Sequence, residues 1–317
     1  MVLIDRSGSE SLMPNDVAQD IIQGVAENSA LLTLGTRLPD MTTKTRRLPV
    51  LESLPMAYFV TGDTGYKQAS NAAWGNKFIE AEEVAVIIPI PEAVLDDADY
   101  DIFEQLRPRI REAFGRTIDA AVLYGTNKPA SWPTGLVTQA ETAGNVVTRG
   151  TGADLYDDIM GEDGVISLVE QDGFFVNGHV AAMALRGALR GLRDGATGLP
   201  IFNRDMQGNS DYTLDGSPIF FPRNGAFDDT QSLLVSGDFT NLVYAIRQDI
   251  TFKVLTEAVI QNPADGSILY NLAQQDMVAL RCVMRLGWQL PNPLNNINAD
   301  GDTRFPFATL APAGVTP

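Results

Sequence analysis

Ile250-Thr251-Phe252-Lys253-Val254 and Val278-Ala279-Leu280-Arg281-Cys282-Val283-Met284-Arg285-Leu286-Gly287-Trp288 decide how this chain folds. Apolar side chains alternate through Ile250, Phe252 and Val254, continue at Ala258 and Ile260, and return at Val278, Leu280, Cys282, Met284, Leu286 and Trp288. Period two is the mark of a β-strand with one apolar face. Between the two runs lies Asn262-Pro263-Ala264-Asp265-Gly266, whose Asn-Pro and Asp-Gly pairs mark a turn. The expectation is a long two-stranded ribbon. Such a ribbon is marginal alone in water, so its apolar face needs a cover. Much of the remaining chain poses the same problem, which points away from a compact enzyme and toward a chain whose core is completed by neighbours.

The bulk properties narrow the class. At 317 residues there is room for two domains, each with its own core. With 44% hydrophobic and 20% charged residues, the composition is that of a soluble globular protein. Met1 to Pro14 carries Asp5, Arg6 and Glu10 and no apolar run, so it does not read as a signal peptide. The most apolar stretch, Val84 to Ile90, is too short to span a membrane and contains Pro89. A single cysteine, Cys282, excludes disulfides within the chain and fits a reducing cytosolic origin. Forty acidic residues against twenty-three basic ones give a net charge of −17, which repels nucleic acid and anionic lipid. No basic cluster exceeds Lys44-Thr45-Arg46-Arg47. A container that surrounds DNA without sticking to it would also be acidic.

Along the chain, residues 12 to 34 read as a short helix, roughly Asn15 to Ser29, with Ile21, Ile22, Val25 and Leu31 as its apolar side, after Pro14. Leu48 to Leu51 and Ala57 to Val60 read as short strands. Thr61 to Lys77 is small, polar and without period, a stretch that is usually functional or disordered when long. Glu82 to Ile90 is a strand. Asp101 to Tyr124 is the strongest helix, with Ile102, Leu106, Ile110, Phe114, Ile118 and Val122 spaced by four. Pro108 should kink it or mark its first turn, and Gly125 should stop it. From Trp132 to about Ile246 the pattern becomes short alternating elements. These are a helix at Leu155 to Met160, a helical Ser167 to Glu170 leading to a buried strand at Gly173 to Val176, and a helix from Val180 to Leu192 capped by Asn177. Strands follow at Pro200 to Phe202, Ser217 to Phe221 and Ser232 to Gly237. Together they read as a separate α+β unit. Pro291 to Pro317, rich in Pro, Asn and Gly, reads as a loosely ordered tail.

Little catalytic chemistry is legible. His179 is the only histidine, which excludes a histidine pair or a multi-histidine metal site; next to Asn177-Gly178 it reads as a polar group at a helix start. Asp96, Asp97, Asp99 and Asp101 lack the Gly and the distal Glu of a calcium loop, and read as an acidic first helical turn. Gly187, Gly191, Gly195 and Gly198 form no phosphate loop; Gly187 and Gly191 share a helical face and suggest close packing there. Neither G-x-S-x-G nor C-x-x-C occurs. No cofactor and no metal ligand set is expected.

In order, a helical arm, an extended polar hairpin, one long helix, a compact α+β insertion and a long ribbon resemble the major capsid proteins of tailed phages, with the Hong Kong ninety-seven fold. Ile21-Ile22-Gln23-Gly24-Val25-Ala26-Glu27-Asn28-Ser29-Ala30-Leu31-Leu32 resembles that family's arm-end helix, and Lys44-Thr45-Arg46-Arg47-Leu48-Pro49-Val50 the strand after it. Val86-Ile87-Ile88-Pro89-Ile90-Pro91-Glu92-Ala93-Val94-Leu95-Asp96-Asp97 is similar to the lead into its spine helix, and Asp119-Ala120-Ala121-Val122-Leu123-Tyr124-Gly125 to that helix's end. Pro133-Thr134-Gly135-Leu136, Leu214-Asp215-Gly216-Ser217-Pro218-Ile219 and Ser236-Gly237-Asp238-Phe239 resemble later landmarks. The likeness runs over roughly residues 12 to 291.

The resemblance implies an α+β phage major capsid fold. Its parts would be an N-terminal arm at 1–40 and a first peripheral segment at 41–130, holding the extended hairpin 57–88 and the spine helix 97–125. An inserted axial domain at 131–246 would follow, then a peripheral return at 247–317 with the ribbon and the C-terminal tail. It implies a non-enzymatic homo-oligomer: pentamers and hexamers that contact neighbouring capsomers and close an icosahedral shell around double-stranded DNA, without sequence-specific binding and without a membrane. Assembly would take place in the host bacterial cytoplasm and end in the virion, or the chain would belong to a prophage. The arm starts close to Met1, which implies a separately encoded scaffolding protein or a reading frame extending upstream; a portal is a further expected partner. An encapsulin-like nanocompartment shell shares the fold and is the alternative. The interface residues expected on the hairpin are Trp74 as aromatic anchor, with Lys67, Lys77 and Phe78. In some capsids of this family a hairpin lysine joins a neighbour's asparagine with help from a glutamate. Here Gln274 falls near the acceptor position and Arg281 near the glutamate position. Arginine stays protonated and cannot serve as the base, so shells without covalent links are expected.

Overall fold

The computed structural model describes residues 29–60, 66–67, 69–96, 102–193 and 213–314. The helix expected before Ser29, most of the acidic run at 97–101, Gly195 and Gly198, and the strand expected at Pro200 to Phe202 lie outside them.

The described chain opens with helix α1 (Ala30–Leu34), whose N-cap is Ser29: its hydroxyl accepts from the Leu32 amide. Strand β1 (Thr36–Arg37) follows. Strands β2 (Thr45–Ser53) and β3 (Ala73–Glu80) pair antiparallel from Thr45 opposite Glu80 to Ser53 opposite Ala73. The expected strand at Ala57 to Val60 is absent; those residues join no ladder, and the hairpin closes on Leu48 to Leu51 instead. The polar stretch after Thr61 ends inside β3. Strand β4 (Glu82–Pro91) turns Val84, Val86, Ile88 and Ile90 inward and Glu83, Ala85 and Ile87 outward, then runs into α2 (Glu92–Asp96). Helix α3 (Ile102–Tyr124) buries Ile110, Phe114, Ile118 and Val122 as one stripe. Pro108 lies inside the helix rather than in its first turn, and Gly125 ends it at a φ of 71°, a left-handed conformation that glycine adopts freely.

The middle of the chain folds around a six-stranded sheet. Helix α4 (Leu136–Ala143) leads to β5 (Val146–Thr148), then α5 (Leu155–Met160) and α6 (Val165–Gln171). Gly173 to Val176 is not the buried strand the apolar run suggested: Phe175 is exposed, and the strand comes two residues later as β6 (Gly178–Ala181). Helix α7 (Met183–Gly191) therefore starts at Met183, not Val180. The reason is tertiary. β6 is paired on both sides and all four of its residues are buried, so a continuous apolar run that could be either helix or strand is settled by its ladder partners. His179 and Asn177 consequently have other roles than helix capping. Asn177 donates to the Asp238 carboxylate and accepts from the Phe239 amide, stitching two loops together. Gly187 and Gly191 have open space where a Cβ would sit, so no close packing explains them.

Strands β7 (Thr213–Leu214), β8 (Ser217–Phe220) and β9 (Leu234–Gly237) complete this part. The ribbon follows as β10 (Val243–Leu255), a small tip hairpin of β11 (Val259–Gln261) and β12 (Ile268–Asn271) turning at the expected Asn262–Gly266, and β13 (Met277–Gln289). The last strand, β14 (Phe307–Ala311), overturns the loose tail: all five residues are buried, and it lies between β5 and β9 in the order β5-β14-β9-β6-β8-β7. Prolines and asparagines in 291–306 mark loop, and the short Phe-Ala-Thr-Leu-Ala run after Pro306 is too brief to show a period.

The second large sheet has the order β1-β10-β13-β4. Ile246, Ile250, Leu280, Cys282, Met284, Leu286 and Trp288 share one core with Ile110, Phe114 and Ile118 of α3. The ribbon's apolar face is thus covered by the long helix of its own chain and not left for a neighbour. A helix with a four-residue stripe and a ribbon with a two-residue period each lack one partner, and each supplies the other's.

Candidate assembly interface

Among the described residues, the β2–β3 hairpin carries apolar side chains that find no cover. Within its two strands only Gly75 and Ile79 are buried. Met56, Tyr58, Phe59, Val60 and Tyr66 are exposed in the segment joining the strands, Phe59 fully at 107%. Trp74 is 70% exposed and Phe78 52%. Alternation along β3 puts Trp74, Asn76 and Phe78 on one face and Gly75, Lys77 and Ile79 on the other.

Its root, by contrast, is fixed. Ile79 packs in a small core with Met41, Ala81, Val243 and Ala245. The Trp132 indole donates to the Glu80 carbonyl at 3.1 Å, and the Gln289 amide donates to the Phe78 carbonyl at 2.9 Å. Lys77 donates through Nζ to the Leu290 carbonyl at 2.9 Å. Burial, and then the nearby Arg304, lowers the Lys77 pKa from its ordinary value. At Gly287 a Cβ would collide with the Glu80 carbonyl, so the ribbon backbone meets the hairpin backbone directly. The hairpin is a rigidly rooted arm with an uncovered apolar end.

Of the four expected residues, β3 carries three: Trp74 and Phe78 on its exposed face, and Lys77 turned inward to the root. Lys67 is exposed in the joining segment. Gln274 is exposed and accepts from the Asn271 side chain at 2.8 Å in the turn before β13. Arg281 is exposed on β13, opposite Lys253 and Ile87. A second uncovered apolar patch escaped sequence reading: Val259, Ile268 and Leu269 at the ribbon tip are all exposed. The signal was present in Ile268-Leu269-Tyr270 beside a turn, where an apolar run has no reason to face solvent.

Buried chemistry is structural. His179 sits in the sheet with Nδ1 2.8 Å from Ser236 Oγ and Nε2 3.3 Å from the Leu214 carbonyl, and burial pushes its pKa down to about 4. Cys282 is fully buried and its thiol is pushed up to about 12 by burial. Among the described residues no three His, Cys, Asp or Glu side chains cluster to hold a metal, and no helix is long and apolar enough to cross a membrane.

Comparison with known proteins agrees with this architecture. The phage capsid family matches residues 10–295. The chain is 30% identical over 283 residues to the major capsid protein of Staphylococcus phage 80alpha, spanning 87% of this chain and 81% of that one. A solved chain from Microbacterium phage Oxtober96 superposes with a TM-score of 0.79 at 36% identity, covering 90% of this chain and 91% of that one. One from Mycobacterium phage Adephagia gives 0.77 at 31% identity, covering 92% of each. A fold built from a ribbon backed by one long helix, with an inserted α+β unit and an outlying hairpin, recurs across these chains, and this chain belongs to the phage capsid family as a structural shell protein of the virion.

Proposed function

We propose that copies of this chain join as pentamers and hexamers and that these capsomers close an icosahedral shell around double-stranded DNA. One observation carries the reading: a hairpin anchored at its root by three hydrogen bonds, with Met56, Tyr58, Phe59, Tyr66 and Trp74 uncovered toward its end. Rigid apolar side chains held away from their own core suit burial against a second copy, and aromatic anchors dominate such interfaces. Rotational repetition of one such contact closes a ring. In this reading 1–40 is the arm, 41–130 and 247–306 build a peripheral domain, and 131–246, joined by the returning strand β14, is an axial domain at the capsomer centre. Trp74 and Phe78 anchor the contact, Lys67 presents its charge beside it, and Lys77 holds the root.

The net charge of −17 keeps the inner surface from adhering to packaged DNA. A scaffold and a portal are the expected partners during assembly in the host cytoplasm. The role is structural, with no catalytic step and no cofactor. Native mass spectrometry of the purified protein, over a range of concentration and salt, tests the proposal. Rings of five or six copies and larger closed species support it; monomer alone under every condition contradicts it.

A further inference from the structure

Asp119 is fully buried toward the C-terminal end of α3, yet it is a carboxylate. It accepts hydrogen bonds from Ser29 Oγ at 2.6 Å, the Ala30 amide at 3.2 Å, the Leu31 amide at 3.4 Å and Asn224 Nδ2 at 2.7 Å. These donors come from two segments about 90 and 105 residues away in sequence. Ser29 is itself fully buried, and its hydroxyl also caps α1. The far side of α1 is held too: Tyr244 donates to the Leu32 carbonyl at 3.0 Å. A buried charge is retained only where it is well paired, and one ringed by donors marks a position the fold specifies closely.

We infer that Asp119 is a positioning residue: its carboxyl clamps Ser29 to the C-terminal part of the long helix and so fixes the start of α1 against it.

The clamp responds to protons, and the sign follows from the site. Burial pushes the carboxyl up to about 6, with the hydrogen bonds from Ser29, Asn224, Leu31 and Ala30 opposing the shift. Released to solvent, it would return to the ordinary carboxyl value of 3.8. The closed clamp therefore takes up a proton as pH falls through 6, and acid tightens it. Protonation need not break the ring of contacts. The neutral acid donates to Ser29 Oγ, which reverses from donor to acceptor, while its carbonyl oxygen still accepts from Asn224. The other charged groups on the packed elements are Glu104, Arg107, Arg109, Arg111, Glu112 and Arg116 on α3 and Arg223, Asp228 and Asp229 on the 223–229 loop; α1 carries none. The hydrogen bonds recorded at Asp119 go to Ser29, Ala30, Leu31 and Asn224, none of which titrates in this range.

Hydrogen exchange read by mass spectrometry on the peptide spanning 29–36 tests this, with rates corrected for intrinsic chemistry and a peptide from α3 as control. In the wild type the local opening ratio should fall on the order of a hundredfold between pH 7.5 and pH 4. Asp119→Asn has the shape of the neutral acid, so its protection should be flat with pH and equal the wild-type acid level. Ser29→Ala, which leaves Asp119 in place, should lose protection of this peptide at every pH. Wild-type protection that ignores pH, an Asp119→Asn slope like the wild type's, or unchanged protection in Ser29→Ala would each overturn the inference. These outcomes concern one subunit's α1, so they are independent of whether rings form.

Discussion

His179 lies in the centre of the six-stranded sheet, its ring held between Ser236 and the Leu214 carbonyl. Burial lowers its pKa to about 4, while the Leu214 carbonyl and Asp215 push the other way. The folded value lies below the ordinary 6.5, so the neutral ring is the folded form. Its stabilising share is complete above pH 6.5 and shrinks as pH falls toward 4, reaching about 3 kcal/mol of loss. His179→Gln should cost about 1–2 kcal/mol at pH 8, through poorer hydrogen bonding, and flatten the profile below pH 6.5. Urea unfolding of both proteins across pH 8 to 4.5 checks this; parallel curves would show that His179 does not titrate with folding. The sequence showed only a lone histidine beside Asn-Gly, and a local reading placed it at a helix start. What it missed was the pair of ladders on either side of β6, which no local pattern encodes.

At the level of elements, hairpin and ribbon divide the work. Glu82 to Ile90, α3 and the ribbon were legible because each keeps its period over many residues. The β2 pairing partner was not, because Ala73-Trp74-Gly75-Asn76-Lys77 is polar and small and its strand character comes from facing Leu48 to Leu51. Nor was β14, whose five residues are inserted between distant strands. The exposed β3 face gives a separable prediction. Trp74→Ala should weaken assembly strongly in a light-scattering titration while shifting subunit stability by no more than about 0.5 kcal/mol. Equal losses in both would make Trp74 part of the subunit core. At the root the opposite holds. Gly287→Ala sets a Cβ against the Glu80 carbonyl, backbone against backbone. It should cost about 1–3 kcal/mol of subunit stability, read as a lowered melting temperature.

As a whole molecule, this chain satisfies its own ribbon and long helix, and among the described residues the hairpin and the ribbon tip leave apolar side chains outside. The first was readable as an unperiodic polar stretch carrying a tryptophan; the need for cover that the ribbon's alternation implied proved to be met internally by α3. Lys77 donates its amine to the Leu290 carbonyl, and the resemblance sets Arg281, which stays protonated, at the position of the base, so shells are expected to be held without covalent links. Boiled in detergent, they should run as one band near 34.3 kDa; a ladder of multimers joined through Lys67 or Lys77 would refute this. The central claim is that the uncovered hairpin is completed by a second copy. A cryo-electron microscopy reconstruction of assembled particles measures this directly. The hairpin at 45–80 should lie across a neighbouring subunit with Trp74 buried in the contact. A hairpin folded back on its own subunit, or standing in solvent within a closed shell, would contradict the account.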